Sequence, residues 1–224
     1  MKAATVLLTA ILWSGAARAG TINLDSRQGL FTSFAGVTTV AITPNPNWQA
    51  NYAVNPGDVN DRSAVWISYA DTGWGGTHFQ PQMGTTGVVT IFDTFQSGAG
   101  TLLLHVWADD TATVLLDGNL LMPGVFTQNT CSGQPIGCRP QDAGNISTSI
   151  AAGKHTLSFV LYQVGTGQDT SSNPFGLLFT GTAPGVIGPN DGPGSPESSV
   201  PETGTLALLA SGMAGLAWLR LHRA

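Results

Sequence analysis

An all-β fold, a two-layer sandwich of short strands, is what this sequence predicts. Three observations carry that reading. Charged residues make up only 9% of the 224 residues, against about a quarter in ordinary globular chains. Between residues 20 and 183 the only cations are Arg27, Arg62, Arg139 and Lys154, and the anions are ten Asp with no Glu. Straight-chain helix formers are therefore scarce, while the Thr, Val, Gly, Asn and Asp of strands and turns abound. Third, short β-branched and apolar runs recur between Gly, Pro and Asp breaks, with no convincing helical period between them.

The strands follow in order. "FAGVTTVAIT" is a β-branched run that stops at Pro44. "SAVWISYA" is a second, and "GVVTIFDTF" a third. "TLLLHVWA" is apolar at successive positions, which predicts a central strand buried on both faces, with His105 a satisfied core histidine. "TATVLLDGNLLM" reads as a hairpin turning at Asp117–Gly118, because Asp-Gly accepts the positive φ of a two-residue turn. "KHTLSFVLYQV" and "FGLLFTGT" complete the set. Trp66 and Trp107 lie inside apolar strands and are expected in the core.

The two ends of the chain read differently. Lys2, the apolar "AATVLLTAILW" and the small-x-small "ARA" at 17–19 predict a signal peptide over residues 1–19. Export makes Cys131 and Cys138, in the loop "CSGQPIGC", an expected small-loop disulfide. Residues 184–199 are rich in Gly, Pro and Ser and predict a linker. Residues 200–224 then form a tail: "VPETG", an apolar stretch from Leu206 to Leu219, and terminal Arg220, His222 and Arg223. Fourteen residues make a helix of only ~21 Å, short of the ~30 Å of a hydrocarbon core. That predicts a short, transient membrane segment with its cations on the cytoplasmic side.

This tail resembles the PEP-CTERM sorting signals that exosortase-type enzymes process. Val200, Pro201 and Glu202 match that signal, and Thr203 stands where a second proline is typical. Thr203 and Gly204 also fit the sortase signal LPXTG, but Val200 replaces its leucine. The following "TLALLASGMAGLAWLRLHR" is similar to the PEP-CTERM pattern. The resemblance implies export across the inner membrane, an exosortase-type partner and delivery to the cell surface or an exopolysaccharide matrix. Over about residues 60–183, "WADD", "VLLDG", "AAGKHTLSFVL" and "NPFGLL" occur in an order that resembles galactose-binding-like jelly-roll sandwiches.

For function, nucleic acid is excluded as a partner by the lack of clustered Lys and Arg. No G-x-S-x-G, H-E-x-x-H or P-loop motif appears, so a non-catalytic protein is expected. The loop "DTGWGGTHFQPQ" is the candidate glycan site: Trp74 to stack on a sugar, with His78, Phe79 and Gln80 beside it. The bland alternative has Trp74 folded back over the end of the sandwich. Asp109, Asp110 and Asp117 are candidate Ca²⁺ ligands or, as plainly, turn caps; no other cofactor is expected. Glycan binding or adhesion competes with a purely structural matrix role and with a secreted hydrolase, which needs two facing carboxylates.

Overall fold

The computed structural model describes residues 20–51, 64–127, 135–165 and 173–186. The expected signal peptide, Cys131, most of the linker, Val200–Gly204 and the apolar tail lie outside the described residues. Among the described residues there is no helix, and none long and apolar enough to cross a membrane.

The chain forms a sandwich of two antiparallel sheets. One sheet contains β1 (Thr21–Asp25), β3 (Val40–Ala41), β4 (Ile67–Ser68), β6 (Gly100–Asp109), β9 (Gly144–Ile150) and β11 (Gly176–Pro184). Its order is β3-β4-β11-β6-β9, with β1 paired to β11. The other contains β2 (Phe31–Thr32), β5 (Val89–Ser97), β7 (Thr111–Leu116), β8 (Asn119–Met122) and β10 (Gly153–Tyr162), in the order β2-β5-β10-β7-β8.

Alternation builds the core. Val89 and Ile91 of β5, Leu157, Phe159 and Leu161 of β10, and Leu102, Leu104 and Val106 of β6 all point between the sheets. Phe159 and Phe179 stack across the gap with ring centroids 4.4 Å apart. A second apolar cluster, outside the β6–β11 sheet, joins Ile42, Trp48, Trp66, Trp107, Cys138 and Leu178. Trp48 and Trp66 meet at 4.2 Å, and Trp66 Nε1 donates to Gln49 O at 2.7 Å. No free cysteine occurs among the described residues.

Two expectations are corrected here. β6 is central, lying between β11 and β9, but it is not buried on both faces. Leu103 is 42% exposed, and His105 is half-buried on the same outer face, stacked at 6.3 Å on Trp107 rather than sitting in the core. The strand buried throughout is β11, whose outer face is covered at Leu178 by the tryptophan cluster. Apolar runs alone do not distinguish these strands, because the cover comes from residues distant in sequence.

The first two expected strands are also shorter than their β-branched runs. Thr39 Oγ1 accepts from Leu30 N and donates to Arg27 O, and Trp66 N donates to Asn51 Oδ1. Side chains thus take backbone groups that a ladder would otherwise use. The Asp117–Gly118 hairpin turn has φ of 51° and 79°, both positive as a type I′ turn requires.

Register defines the two ends. Ile67 pairs with Leu177, Gly176 with Asp109, Tyr162 with Thr111 and Leu161 with Val89. The segment 69–88, Asp109–Asp110 and Gln163 therefore share one end, the Trp74 end. Ser97 pairs with Gly153 and Gly100 with Ile150, and Asp117 N donates to Thr156 O. These make the opposite, Asp117 end.

Candidate functional site

The Trp74 loop is a fixed structure. Asp71 organises it: Oδ2 accepts from Thr77 N and Thr77 Oγ1, and its carbonyl accepts from His78 N. Trp74 N donates to Thr43 O, which ties the loop to the strand region before it. A Cβ on Gly76 would lie 2.4 Å from Asp71 O, and one on Gly73 would lie 2.5 Å from Thr43 O. Only glycine allows those approaches. Held this way, the Trp74 side chain is 47% exposed. It does not fold back completely over the sandwich.

His78 and Phe79 are also exposed, whereas Gln80 is buried at 5% exposure. Tyr69, just after β4, joins His78 to Gln80. Its hydroxyl donates to Gln80 Oε1 in a short hydrogen bond and lies 3.0 Å from His78 Nε2. Its ring meets Phe34 at 5.0 Å and His78 at 5.3 Å, both edge-on. Gln80 Nε2 donates to Pro81 O and faces Met83 Sδ. Gln80 is thus a support whose polar atoms are already used, while Trp74, His78 and Phe79 are available to a ligand. Tyr69, Phe34 and Asp71 had no sequence signal of their own. The one hint was an Asp six residues before a Thr across a Gly-rich turn.

Asp109 and Asp110 are both buried at this end. Asp110 Oδ2 accepts from Val164 N at 2.9 Å. Burial pushes the Asp109 carboxyl well above the usual carboxylate range, the neighbouring Asp110 adds to this through its charge and a hydrogen bond, and a hydrogen bond from Trp48 opposes it. Gln163, one residue beyond the Tyr162–Thr111 pair, is fully buried, and neither atom of its amide has a hydrogen-bond partner.

Asp117 does not join Asp109 and Asp110. The six residues of β7 separate them, about 20 Å of strand. Asp117 instead takes His155 Nδ1 at 2.6 Å and Thr156 N at 2.8 Å. The three aspartates therefore do not form one ligand set, and no group of three metal-ligating side chains occurs among the described residues.

No protein-family model matches the chain, and no curated protein matches it. Several solved structures align weakly. A family 35 carbohydrate-binding module from Clostridium thermocellum aligns at 10% identity and a TM-score of 0.29, over 72% of this chain and 90% of that one. A family 35 module from an environmental isolate aligns at 11% identity and 0.26, over 63% of this chain and 93% of that one. An exo-β-1,3-galactanase of Phanerochaete chrysosporium, solved with β-1,3-galactotriose, aligns at 12% identity and 0.31 over 73% of this chain, which spans only 29% of the galactanase. Scores of this size assign neither ligand nor activity to this chain.

Proposed function

We propose that this chain is an exported, non-catalytic glycan-binding protein of the cell surface or exopolysaccharide matrix, with a galactose-binding-like jelly-roll domain and an exosortase-processed tail. The observation that carries the binding reading is Trp74: a half-exposed indole on a loop braced by Asp71 and two sterically required glycines. A rigid exposed aromatic stacks on the apolar face of a sugar ring at low entropic cost. His78, exposed beside it in sequence, supplies a directional hydrogen bond.

The non-catalytic part rests on the carboxylates at this end. Among the described residues, Asp71 is engaged within its loop, Asp109 and Asp110 are consecutive and buried, and Asp142, in the segment beside Ala108, is buried too. A glycosidase instead sets two carboxyl groups about 5–10 Å apart across the scissile bond. The sorting part rests on the tail sequence alone.

The test is a glycan array probed with the wild-type chain and with Trp74→Ala. Binding by the wild type, weakened about tenfold or more by the substitution, is the expected result. A wild-type protein that binds no glycan overturns the reading. Mass spectrometry of surface-released protein tests the tail: the C-terminus should fall near Val200–Gly204, and recovery of intact Arg223 would refute processing.

A further inference from the structure

We infer that the Trp74 end takes neutral, hydroxyl-rich glycans and rejects acidic ones, with His78 Nδ1 as the hydrogen-bond acceptor for a sugar hydroxyl. This rests on the glycan reading above and adds the class of ligand.

The inference follows from a chain of hydrogen bonds whose directions are forced. Gln80 Nε2 donates to Pro81 O at 3.1 Å, so the atom facing Tyr69 is Oε1, which can only accept. The Tyr69 hydroxyl must therefore donate to Gln80. Its single proton is then used, and towards His78 the same oxygen can only accept. The proton on that side belongs to His78 Nε2, 3.0 Å away. A neutral imidazole carries one N–H. In the neutral ring His78 Nδ1 is consequently a bare lone pair, on an exposed side chain whose hydrogen bond to Tyr69 runs through the other nitrogen. A buried glutamine thereby sets, through a tyrosine, the polarity of an exposed histidine.

An acceptor selects a donor. Sugar hydroxyls donate to it; a carboxylate or sulfate does not, so an acidic glycan can meet this nitrogen only through its remaining hydroxyls, with its charges placed nearby. The surrounding charge has the same effect. No Lys or Arg occurs from residue 64 to residue 127. Among the described residues the acids at this end are Asp71, exposed within the loop, and the buried Asp109, Asp110 and Asp142, of which Asp109 is held towards its neutral form; the described cation here is Arg139, exposed in the segment whose Gly137 O accepts from Ala108 N and outside the Trp74 loop. A polyuronate would bring its charges to an acceptor nitrogen and like charges, with none of the loop's own residues to pair them.

Affinity electrophoresis of the full chain tests this, using dextran, β-1,3-glucan and β-galactan against polygalacturonate and alginate. At least one neutral polymer should retard the wild type, and the two polyuronates should not. His78→Leu should weaken that retardation about fivefold, the effect of one lost hydrogen bond, and His78→Gln, which restores an acceptor, should recover part of it. Nitrogen NMR of the histidine ring should show the Nε2-protonated tautomer. Equal or stronger binding of a polyuronate, an Nδ1-protonated ring, or full affinity in His78→Leu would each overturn the inference. If Trp74→Ala still abolishes binding in those cases, the glycan reading survives without it. If no polymer binds, the glycan reading itself falls and takes this inference with it.

Discussion

At the Asp117 end of the sandwich both oxygens of the turn carboxylate are used: His155 Nδ1 meets one and Thr156 N the other, while His155 Nε2 reaches Ala151 O at 2.9 Å. At the Trp74 end, Asp109 is buried against a second carboxylate, and the buried Gln163 amide has no partner. The same residue type thus serves as a cap at one end and carries a desolvation cost at the other. Half-exposed Trp74 sits on the costly end. A binding surface is a common place for unspent polar capacity, since stability and function compete there. The Asp117 turn itself has no such conflict, since both oxygens of its carboxylate are hydrogen-bonded.

The largest effect expected from this contrast is at Gln163. A buried amide without hydrogen bonds costs about 1–3 kcal/mol. Gln163→Met keeps the length and removes the polar atoms. It should raise the unfolding free energy by about 1–2 kcal/mol, read as an upward shift in the urea midpoint with an unchanged slope. A loss of stability would show that the amide is engaged, and the contrast between the ends would fail.

The Asp117 end makes a prediction in pH. Both nitrogens of His155 face oxygens that only accept, so both must carry protons for both contacts to be hydrogen bonds. The hydrogen bond to Asp117, then that to Ala151 O, raises the His155 pKa above its ordinary 6.5. For Asp117, partial burial pushes upward, but the bonds from His155 and Thr156 N with the His155 charge prevail, and its pKa falls below 3.8. The histidine contribution is present in full below 6.5 and is lost as pH rises through the raised value. The aspartate contribution is present above 3.8 and is lost as pH falls through the lowered value. Asp117→Ala should therefore cost most between pH about 4 and 6.5, roughly 1 kcal/mol after allowing for the exposed carboxylate, and progressively less outside that window. Unfolding curves at pH 3, 5 and 9 check it; a pH-independent cost would remove His155 from the account.

These two ends were unequally legible in the sequence. The Asp117–Gly118 turn was readable because its signal is local: two residues, two positive φ values, one short connection. The long strands β5, β6, β7 and β10 were readable from their apolar runs. β9, "GNISTSI", was not, since it is an edge strand with only Ile146 and Ile150 reaching the core and Ser or Asn facing out. The candidate loop could be found from Trp74 among glycines. Its working parts could not: Tyr69 and Phe34 come from other segments, Tyr69 bonding Gln80 and His78 and Phe34 packing on Tyr69. Asp109, Asp110 and Asp117 each looked like a turn cap or, with nearby carbonyls, a cation ligand. Only the strand length between them shows that they belong to opposite ends.

At pH 4 the smallest expected effect lies at Asp109, and its growth with pH sharpens the comparison most. Burial, then Asp110, raises its pKa well above 3.8. The folded state therefore holds a proton that the unfolded chain releases as pH rises past 3.8, so this group's contribution is present at low pH and is lost on going upward. Asparagine resembles the protonated acid in size and keeps an acceptor for Trp48. Near pH 4, Asp109→Asn should match the wild type within about 0.5 kcal/mol. As pH rises the wild type should fall away from the variant, the opposite of what Asp117→Ala does between pH 3 and 5. A variant less stable than the wild type at pH 7 would mean that Asp109 works as a charged group, and the two ends would then be alike.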